Sequence, residues 1–121
     1  MRQNTRKEGN EGEDMACRFL EGEGCRIIAR NFRSRRGEID IISEDCGAIV
    51  FTEVKYRKSC RTGEPYEAVT FYKQRNICRT ADFFRMKNGL SWEQACRFDV
   101  VSILGSEITW YKNAYEYIEK R

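Results

Sequence analysis

The spacing of apolar residues along the chain predicts a helix, three strands, a second helix and two further strands. Three- and four-residue spacing sets the apolar face of the first helix at Met15, Ala16, Phe19 and Leu20. We expect Asn10 to cap this helix and Gly22 or Gly24 to end it. Residues 1–9 are polar and show no periodicity, so we expect a flexible N-terminus before the helix.

Short apolar runs bounded by turn residues predict two hairpins. The predicted strands cover residues 27–29, 37–43, 48–55, 97–104 and 108–112. The short turn at residues 45–47 predicts an antiparallel hairpin, and alternation places Ile39 and Ile41 on one face of its first strand. The turn at residues 105–106 predicts the second hairpin.

The second helix lies between these hairpins. It begins either at Pro65 or after a Thr70 cap, and it ends near Lys87. Residues 114–121 predict a short last helix. Together, the elements predict one α/β domain over residues 10–121, with a mixed sheet and the order α-β-β-β-α-β-β.

Composition narrows the available chemistry and the compartment. The 121 residues include no histidine, which excludes Ser-His-Asp and Cys-His catalysis and every histidine-dependent zinc site. The six cysteines contain no C-x-x-C pair, so we expect reduced thiols that act as small buried hydrophobes. No apolar signal segment or membrane-length apolar run is present. We therefore expect a cytoplasmic protein with no membrane partner.

The net charge of +3 is the sum of oppositely charged segments. Residues 26–36 carry five Arg and no acidic residue, whereas residues 37–54 carry five acidic residues and no basic one. Residues 55–63 carry four basic residues. Mixed charge often marks only a solvated surface. A cation site flanked by phosphate-contacting Arg and Lys side chains gives the same pattern.

Several side chains are candidates for contact with nucleic acid. The basic candidates are Arg33, Arg35, Arg36, Arg57, Lys58, Arg61 and Lys73. The aromatic residues near them are Tyr56, Tyr66, Phe71 and Tyr72. For these rings we favour packing at the core and its rim over stacking on unpaired bases.

Strand alternation brings acidic and basic groups together. Glu53 and Lys55 share one face of the strand at residues 48–55, and Asp40 lies on the neighbouring strand. Two carboxylates on adjacent strands can share Mg²⁺, while a lysine activates a water molecule. An internal salt-bridge cluster explains the same spacing. Glu13, at the edge of the first helix's buried face, either completes the set or caps the helix.

Two short segments resemble the signature of the PD-(D/E)XK nuclease superfamily. They are Gly37-Glu38-Ile39-Asp40 and Phe51-Thr52-Glu53-Val54-Lys55. More narrowly, the chain resembles the YraN-like family of small uncharacterised bacterial proteins, which are similar to archaeal Holliday-junction resolvases. The likeness extends over about residues 10–115. It includes Asn31, the pair Gly12-Glu13, Val69 with Lys73, and the segment 97–101.

The resemblance implies a restriction endonuclease-like mixed sheet flanked by helices. It makes Asp40 and Glu53 ligands of Mg²⁺, for which Mn²⁺ can substitute, Lys55 the catalytic lysine and Glu13 the acid of the first helix. Thr52 stands where the family usually has an aliphatic residue, and this difference concerns packing more than chemistry. Resolvase-like relatives act as dimers, so a homodimer is expected by analogy.

Two functions fit these features. The first is a Mg²⁺-dependent endonuclease that hydrolyses phosphodiester bonds in DNA, including branched or junction structures, without base-specific readout. The second is a non-catalytic nucleic-acid-binding or scaffolding domain that retains the nuclease fold, and it rests on the basic segments. A third, weaker hypothesis is an interaction module that binds no nucleic acid.

Overall fold

A computed structural model describes the chain at residues 2–58 and 69–120, with side chains from residue 10 onward. Its elements are α1 (Arg2–Gly22), β1 (Arg26–Arg33), β2 (Glu38–Asp45), β3 (Ala48–Arg57), α2 (Phe71–Lys87), β4 (Cys96–Leu104) and β5 (Glu107–Tyr115). The predicted order α-β-β-β-α-β-β is confirmed. No helix within the described ranges combines the length and apolar character that crossing a membrane requires.

One five-stranded sheet, in the order β1-β2-β3-β4-β5, connects all the strands. Only β3 and β4 are parallel, because α2 carries the chain across between them, while short turns make the other neighbours antiparallel. At the β2–β3 turn, Cys46 and Gly47 both have positive φ, at 52° and 86°. This backbone matches the twist of a two-residue hairpin, which confirms the predicted turn.

The two helices cover opposite faces of the sheet. Ile77, Ala81 and Phe84 of α2 belong to a buried cluster that includes Phe51 of β3. A second buried cluster contains Ala16 and Leu20 of α1 with Ile41, Val101 and Ile103 of the sheet. The Thr70 side chain caps α2, because its oxygen accepts the Lys73 N–H at 3.1 Å, and α2 ends at the predicted Lys87.

The alternation predicted for β2 is wrong at its centre. Ile39 and Ile42 lie in the cluster under α2, whereas Ile41 lies in the cluster under α1. Regular alternation would have placed Ile39 and Ile41 on the same face. The strand is therefore irregular around Asp40, which is one of the candidate site residues.

The predicted start of the first helix and the predicted last helix both differ from the structure. Helix α1 begins at Arg2, so the predicted start and cap at Asn10 are wrong. Lys, Arg, Glu and Gln favour helix without any apolar pattern, and they continue α1 toward the N-terminus. Whether residues 1–9 are flexible stays a prediction.

The predicted helix at residues 114–121 is also wrong, since residues 116–120 have no regular structure. Contacts with α2 hold this segment instead. The Tyr117 hydroxyl donates to Asp82 at 3.0 Å, the Ile118 N–H donates to the Cys78 sulfur at 3.4 Å, and Arg79 donates to the Ile118 carbonyl. This segment is held by tertiary contacts with residues far away in the sequence, and the local spacing of apolar residues does not reveal such contacts.

The five described cysteines are free thiols, while Cys60 lies outside the described residues. Cys17, Cys25 and Cys78 are buried as expected, and burial raises the pKa of each of these thiols. Cys46 is exposed, contrary to the expectation, because it occupies the hairpin turn.

The contact between α1 and β3 depends on the absence of a side chain at Gly12. A Cβ atom at this position would lie 2.7 Å from the Tyr56 Cβ and 2.9 Å from the Tyr56 Cγ. We expect Gly12→Ala to lower the free energy of unfolding by about 1–3 kcal/mol in urea denaturation, because α1 must move outward.

Gly22→Ala is the matched control for this helix. A Cβ atom there has no neighbour within 4 Å, so we expect unchanged stability or a gain of up to about 1 kcal/mol. Equal effects of the two substitutions would contradict the close packing at Gly12.

Candidate active site

The candidate site lies where β2 and β3 stop pairing. Their ladder runs from Asp45 opposite Ala48 to Ile41 opposite Thr52, and it does not include Asp40. Beyond its end, the Val54 N–H donates to Asp40 Oδ2 at 2.8 Å. A buried backbone N–H requires an acceptor, and here a side chain replaces the neighbouring strand. The Asp40 carboxylate is thereby fixed against β3.

Glu53 contributes a second carboxylate from β3, and only 7% of its side chain is exposed. Its Oε2 atom lies 2.6 Å from Lys73 Nζ and 3.8 Å from Lys55 Nζ. A buried carboxylate needs hydrogen bonds or opposite charge, and the lysines supply both. The Thr70 cap fixes the backbone from which Lys73 reaches this carboxylate.

The two carboxylates influence each other electrostatically. Burial and the neighbouring charge of Glu53 raise the pKa of Asp40 to about 7, although the hydrogen bond from Val54 opposes this shift. The charges of Glu13 and Glu38 make smaller contributions to this raised pKa. The deprotonated Asp40 carboxylate is therefore electrostatically unfavourable beside Glu53, and a bound cation would stabilise it.

The donor set fits a hard divalent cation that keeps part of its water shell. Asp40 and Glu53 supply carboxylate oxygens, which Mg²⁺ prefers. Among the side chains of residues 10–58 and 69–120, no group of three or more Cys, Asp or Glu is arranged to hold a metal ion. Two carboxylates with waters and a substrate phosphate are an ordinary set for Mg²⁺. Structural zinc sites, by contrast, usually have four protein ligands.

Glu13 lies beside the carboxylate pair rather than in a helix cap, since α1 begins well before it. Its Oε1 atom accepts from Asn31 Nδ2 at 3.0 Å and lies 3.4 Å from an Arg30 guanidinium nitrogen. Asn31 has φ of 54°, a conformation that asparagine tolerates better than most residues. The sequence did not reveal this contact; an asparagine within a strand is its only local signal.

The structure thus brings Asp40, Glu53, Lys55 and Lys73 together, with Glu13 at the edge. Lys73 was predicted only as a nucleic-acid contact, and its pairing with Glu53 is a finding of the structure. A lysine in a first helical turn gives no sequence signal for a partner on a distant strand.

The other basic candidates are near the site residues in the sequence. Arg33 is exposed and lies 3.5 Å from Glu38, while Arg35 and Arg36 are exposed in the connection to β2. Arg57 and Lys58 follow Lys55 along the chain. Arg61 lies outside the described residues. Their contact with nucleic acid stays a prediction.

The aromatic residues at the start of α2 do not pack as expected. Phe71 is 64% exposed and Tyr72 is 68% exposed. The buried face of α2 begins at Ile77, so the first turn directs both rings outward. Tyr56 does pack, against the cluster under α1, and Tyr66 lies outside the described residues.

Comparison with known proteins gives one consistent family. The model of the uncharacterised protein family UPF0102 matches residues 12–103, which include all five residues of the site. A UPF0102 protein of Lachnoclostridium phytofermentans is 45% identical over 113 residues, covering 93% of this chain and 96% of that protein. A UPF0102 protein of Aliivibrio fischeri is 50% identical over 93% of this chain and 94% of its own length. A UPF0102 protein of Persephonella marina is 46% identical over 89% of this chain and 92% of its own length.

The raised pKa of Asp40 makes stability depend on pH. Between about pH 4 and 7, the folded protein binds a proton at Asp40 that the unfolded chain has released, so this group's contribution to stability falls as pH rises. Asp40→Asn keeps an oxygen to accept the Val54 N–H and removes the titration.

Without divalent cations, we expect the variant to gain stability relative to the wild type between about pH 4 and 8, by up to about 4 kcal/mol. Urea denaturation across this range measures the difference. A difference that stays constant with pH would contradict the raised pKa.

Proposed function

The chain belongs to the UPF0102 family, and from the geometry of its candidate site we propose that it is a Mg²⁺-dependent endonuclease acting on DNA. The supporting observation is the meeting of Asp40, Glu53 and Lys55 where β2 and β3 part. The same proposal assigns the chain to the PD-(D/E)XK nuclease superfamily, whose signature these residues resemble.

In this proposal, Asp40 and Glu53 hold the cation, and the Val54 carbonyl is a further ligand. The cation, when bound, supplies Lewis-acid polarisation of the scissile phosphate and charge that stabilises the transition state. The hydrogen bond from Val54 keeps the Asp40 carboxylate oriented toward β3. This preorganisation spares the site the cost of ordering a ligand during the reaction.

Lys55 is the proposed catalytic lysine. It follows Glu53 on the same strand face, and its Nζ lies 3.8 Å from Glu53 Oε2, so it reaches the ligand without forming a close hydrogen bond. An ammonium in this position can donate a hydrogen bond to the attacking water and stabilise negative charge on the phosphate. In-line attack by that water forms a new phosphorus–oxygen bond and breaks the bond between phosphorus and the leaving deoxyribose oxygen. The water gives up a proton to solvent, and the leaving oxygen takes one from solvent.

Lys73 has two proposed roles, one without the cation and one with it. Without the cation, its ammonium neutralises Glu53 at 2.6 Å. A cation on Glu53 would repel this ammonium, and the released side chain would be free to contact a substrate phosphate. The nucleic-acid role predicted for Lys73 then depends on occupation of the site.

One observation favours a second function, a nucleic-acid-binding domain without catalysis. The ion pair between Lys73 and Glu53 satisfies the buried carboxylate without a metal. A chain that had lost cleavage could keep this pair as a structural contact. Binding of DNA without cleavage, in both Mg²⁺ and Mn²⁺, would favour this alternative.

Cleavage tests the catalytic assignment directly. We expect Lys55→Met and Asp40→Asn each to lower Mg²⁺-dependent cleavage by about 100-fold or more, because each removes one part of the reaction centre. Labelled single strands, duplexes, flaps and four-way junctions serve as substrates, and thermal unfolding confirms that each variant is folded. Lys87→Met, at the far end of α2, is the matched control. Full cleavage by Lys55→Met would overturn the assignment.

Metal binding tests the competition at Glu53. Removing Lys73 frees the carboxylate, so we expect Lys73→Met to bind Mn²⁺ about tenfold more tightly in titration calorimetry. The metal-free variant should lose about 1–3 kcal/mol of stability, since Glu53 loses a charged hydrogen bond. Unchanged Mn²⁺ affinity would show that Lys73 does not compete with the cation.

A further inference from the structure

A groove of about 830 Å³ runs along the outer side of α2. Helix α2 contributes Phe71, Arg75 and Arg79, the connection before β2 contributes Arg36, and residues 118–120 form the opposite wall. Four of these side chains are basic and one, Glu119, is acidic. The groove therefore has a net positive charge.

Arg79 builds the groove wall rather than binding a ligand. Its side chain is only 8% exposed, its Nε lies 3.3 Å from Asp82, and its guanidinium donates to the Ile118 carbonyl. The guanidinium also lies over the Tyr117 ring, 5.3 Å from the centroid. These contacts hold the C-terminal segment against α2 and fix the width of the groove.

Arg36 and Arg75, unlike Arg79, are free to contact a ligand in the groove. Both side chains are exposed, and within the described parts of the chain neither has an acidic partner. Two exposed guanidinium groups on one groove attract anionic groups, because the groove's four basic side chains outnumber its one acidic side chain, Glu119. Arginine also suits phosphate in particular, because its planar group can donate two parallel hydrogen bonds.

The aromatic residues narrow the choice of anion. Phe71 lines the groove with 64% of its surface exposed, and the adjacent Tyr72 is 68% exposed. Exposed rings beside guanidinium groups are the combination that binds unpaired nucleic-acid strands, since bases stack on rings while phosphates meet the cations. In a duplex, the neighbouring base pairs stack on the faces of each base and cover them.

The groove and the candidate active site take residues from the same two segments of the chain. Phe71 lies two residues before Lys73, which contacts Glu53, and Arg36 lies four residues before Asp40. A hydrogen bond of 2.7 Å between the Ser34 and Thr80 hydroxyls ties the connection that carries Arg36 to α2. A strand leaving the site could therefore continue along α2.

We infer that this groove binds an unpaired nucleic-acid strand, with phosphates on Arg36 and Arg75 and a base stacked on Phe71. The inference rests on the proposed function and specifies its substrate class: DNA with a single-stranded portion next to the scissile phosphate. The specificity is for strand structure, because neither a guanidinium–phosphate contact nor ring stacking reads the base sequence.

Binding without divalent cations tests the groove separately from catalysis. Fluorescence anisotropy in EDTA compares a labelled oligothymidylate with a hairpin duplex of equal length. We expect the wild type to prefer the single strand, and Phe71→Ala to weaken single-strand binding by about tenfold. The double variant Arg36→Gln/Arg75→Gln should reduce the slope of log affinity against log salt by about 1.4.

The matched control is Arg18→Gln/Lys87→Gln, which removes the same charge from exposed positions outside the groove. It should keep the preference and the affinity for the single strand. The groove variants are Phe71→Ala and Arg36→Gln/Arg75→Gln. The inference would be overturned if they bound the single strand as tightly as the wild type, or if the control weakened binding equally. It would also be overturned if the wild type preferred the duplex. A preferred binding partner that is an acidic peptide rather than DNA would also overturn it.

The two proposals fail in different ways. If the groove variants lose single-strand binding but no substrate is cleaved by the wild type, the groove stands and the nuclease proposal fails. If Lys55→Met abolishes cleavage while the groove variants bind the single strand like the wild type, the nuclease stands and the groove inference fails.

Discussion

The separation of β2 from β3 at Asp40 is the constraint on which the candidate site depends. Beyond the last paired residues, the Val54 N–H has no strand to bond with, and the Asp40 carboxylate accepts it at 2.8 Å. This satisfies the backbone and brings a second acid toward Glu53. The electrostatic cost appears in the raised pKa of Asp40, which burial and the Glu53 charge produce together. If β2 and β3 paired along their whole length, the Val54 N–H would bond to β2, and Asp40 would not be held beside Glu53 with a raised pKa.

The burial of Glu53 extends this constraint to α2. A carboxylate that is 7% exposed must be paired, and the closest cation, Lys73, comes from the first turn of that helix. The Thr70 cap and the Lys73 ion pair therefore act at the same helical turn, one fixing its backbone and the other joining it to β3. Phe71 begins that turn, so its exposed ring is held at a defined distance from the site. The position of α2 is in this way coupled to the charge on the sheet.

The sequence predicted those features that depend on neighbours along the chain. The element order, the Thr70 cap and the turn at residues 45–47 follow from periodicity and local backbone preferences, and all three are present. The irregular alternation around Asp40 was missed, because a strand interruption depends on which residues its neighbour offers. The pairing of Lys73 with Glu53 was missed for the same reason, since 20 residues separate the two. Strand alternation brought Asp40, Glu53 and Lys55 together but left a salt-bridge cluster as the alternative, and the resemblance gave these residues their expected metal-binding and catalytic roles.

The net charge of +3 does not reveal how charge is divided between buried and exposed positions of this chain. Glu53 is buried and Asp40 is half-buried, so their charges are weakly screened and act on one another, whereas Arg36 and Arg75 are exposed, where water screens them. Under the proposed function, an anionic strand approaching α2 would meet the exposed cations first, and a divalent cation on the carboxylates would then attract its phosphate. Under the proposed function, a cation on Asp40 and Glu53 would favour the placing of a phosphate at the site, whereas the groove along α2 would hold a strand without the cation.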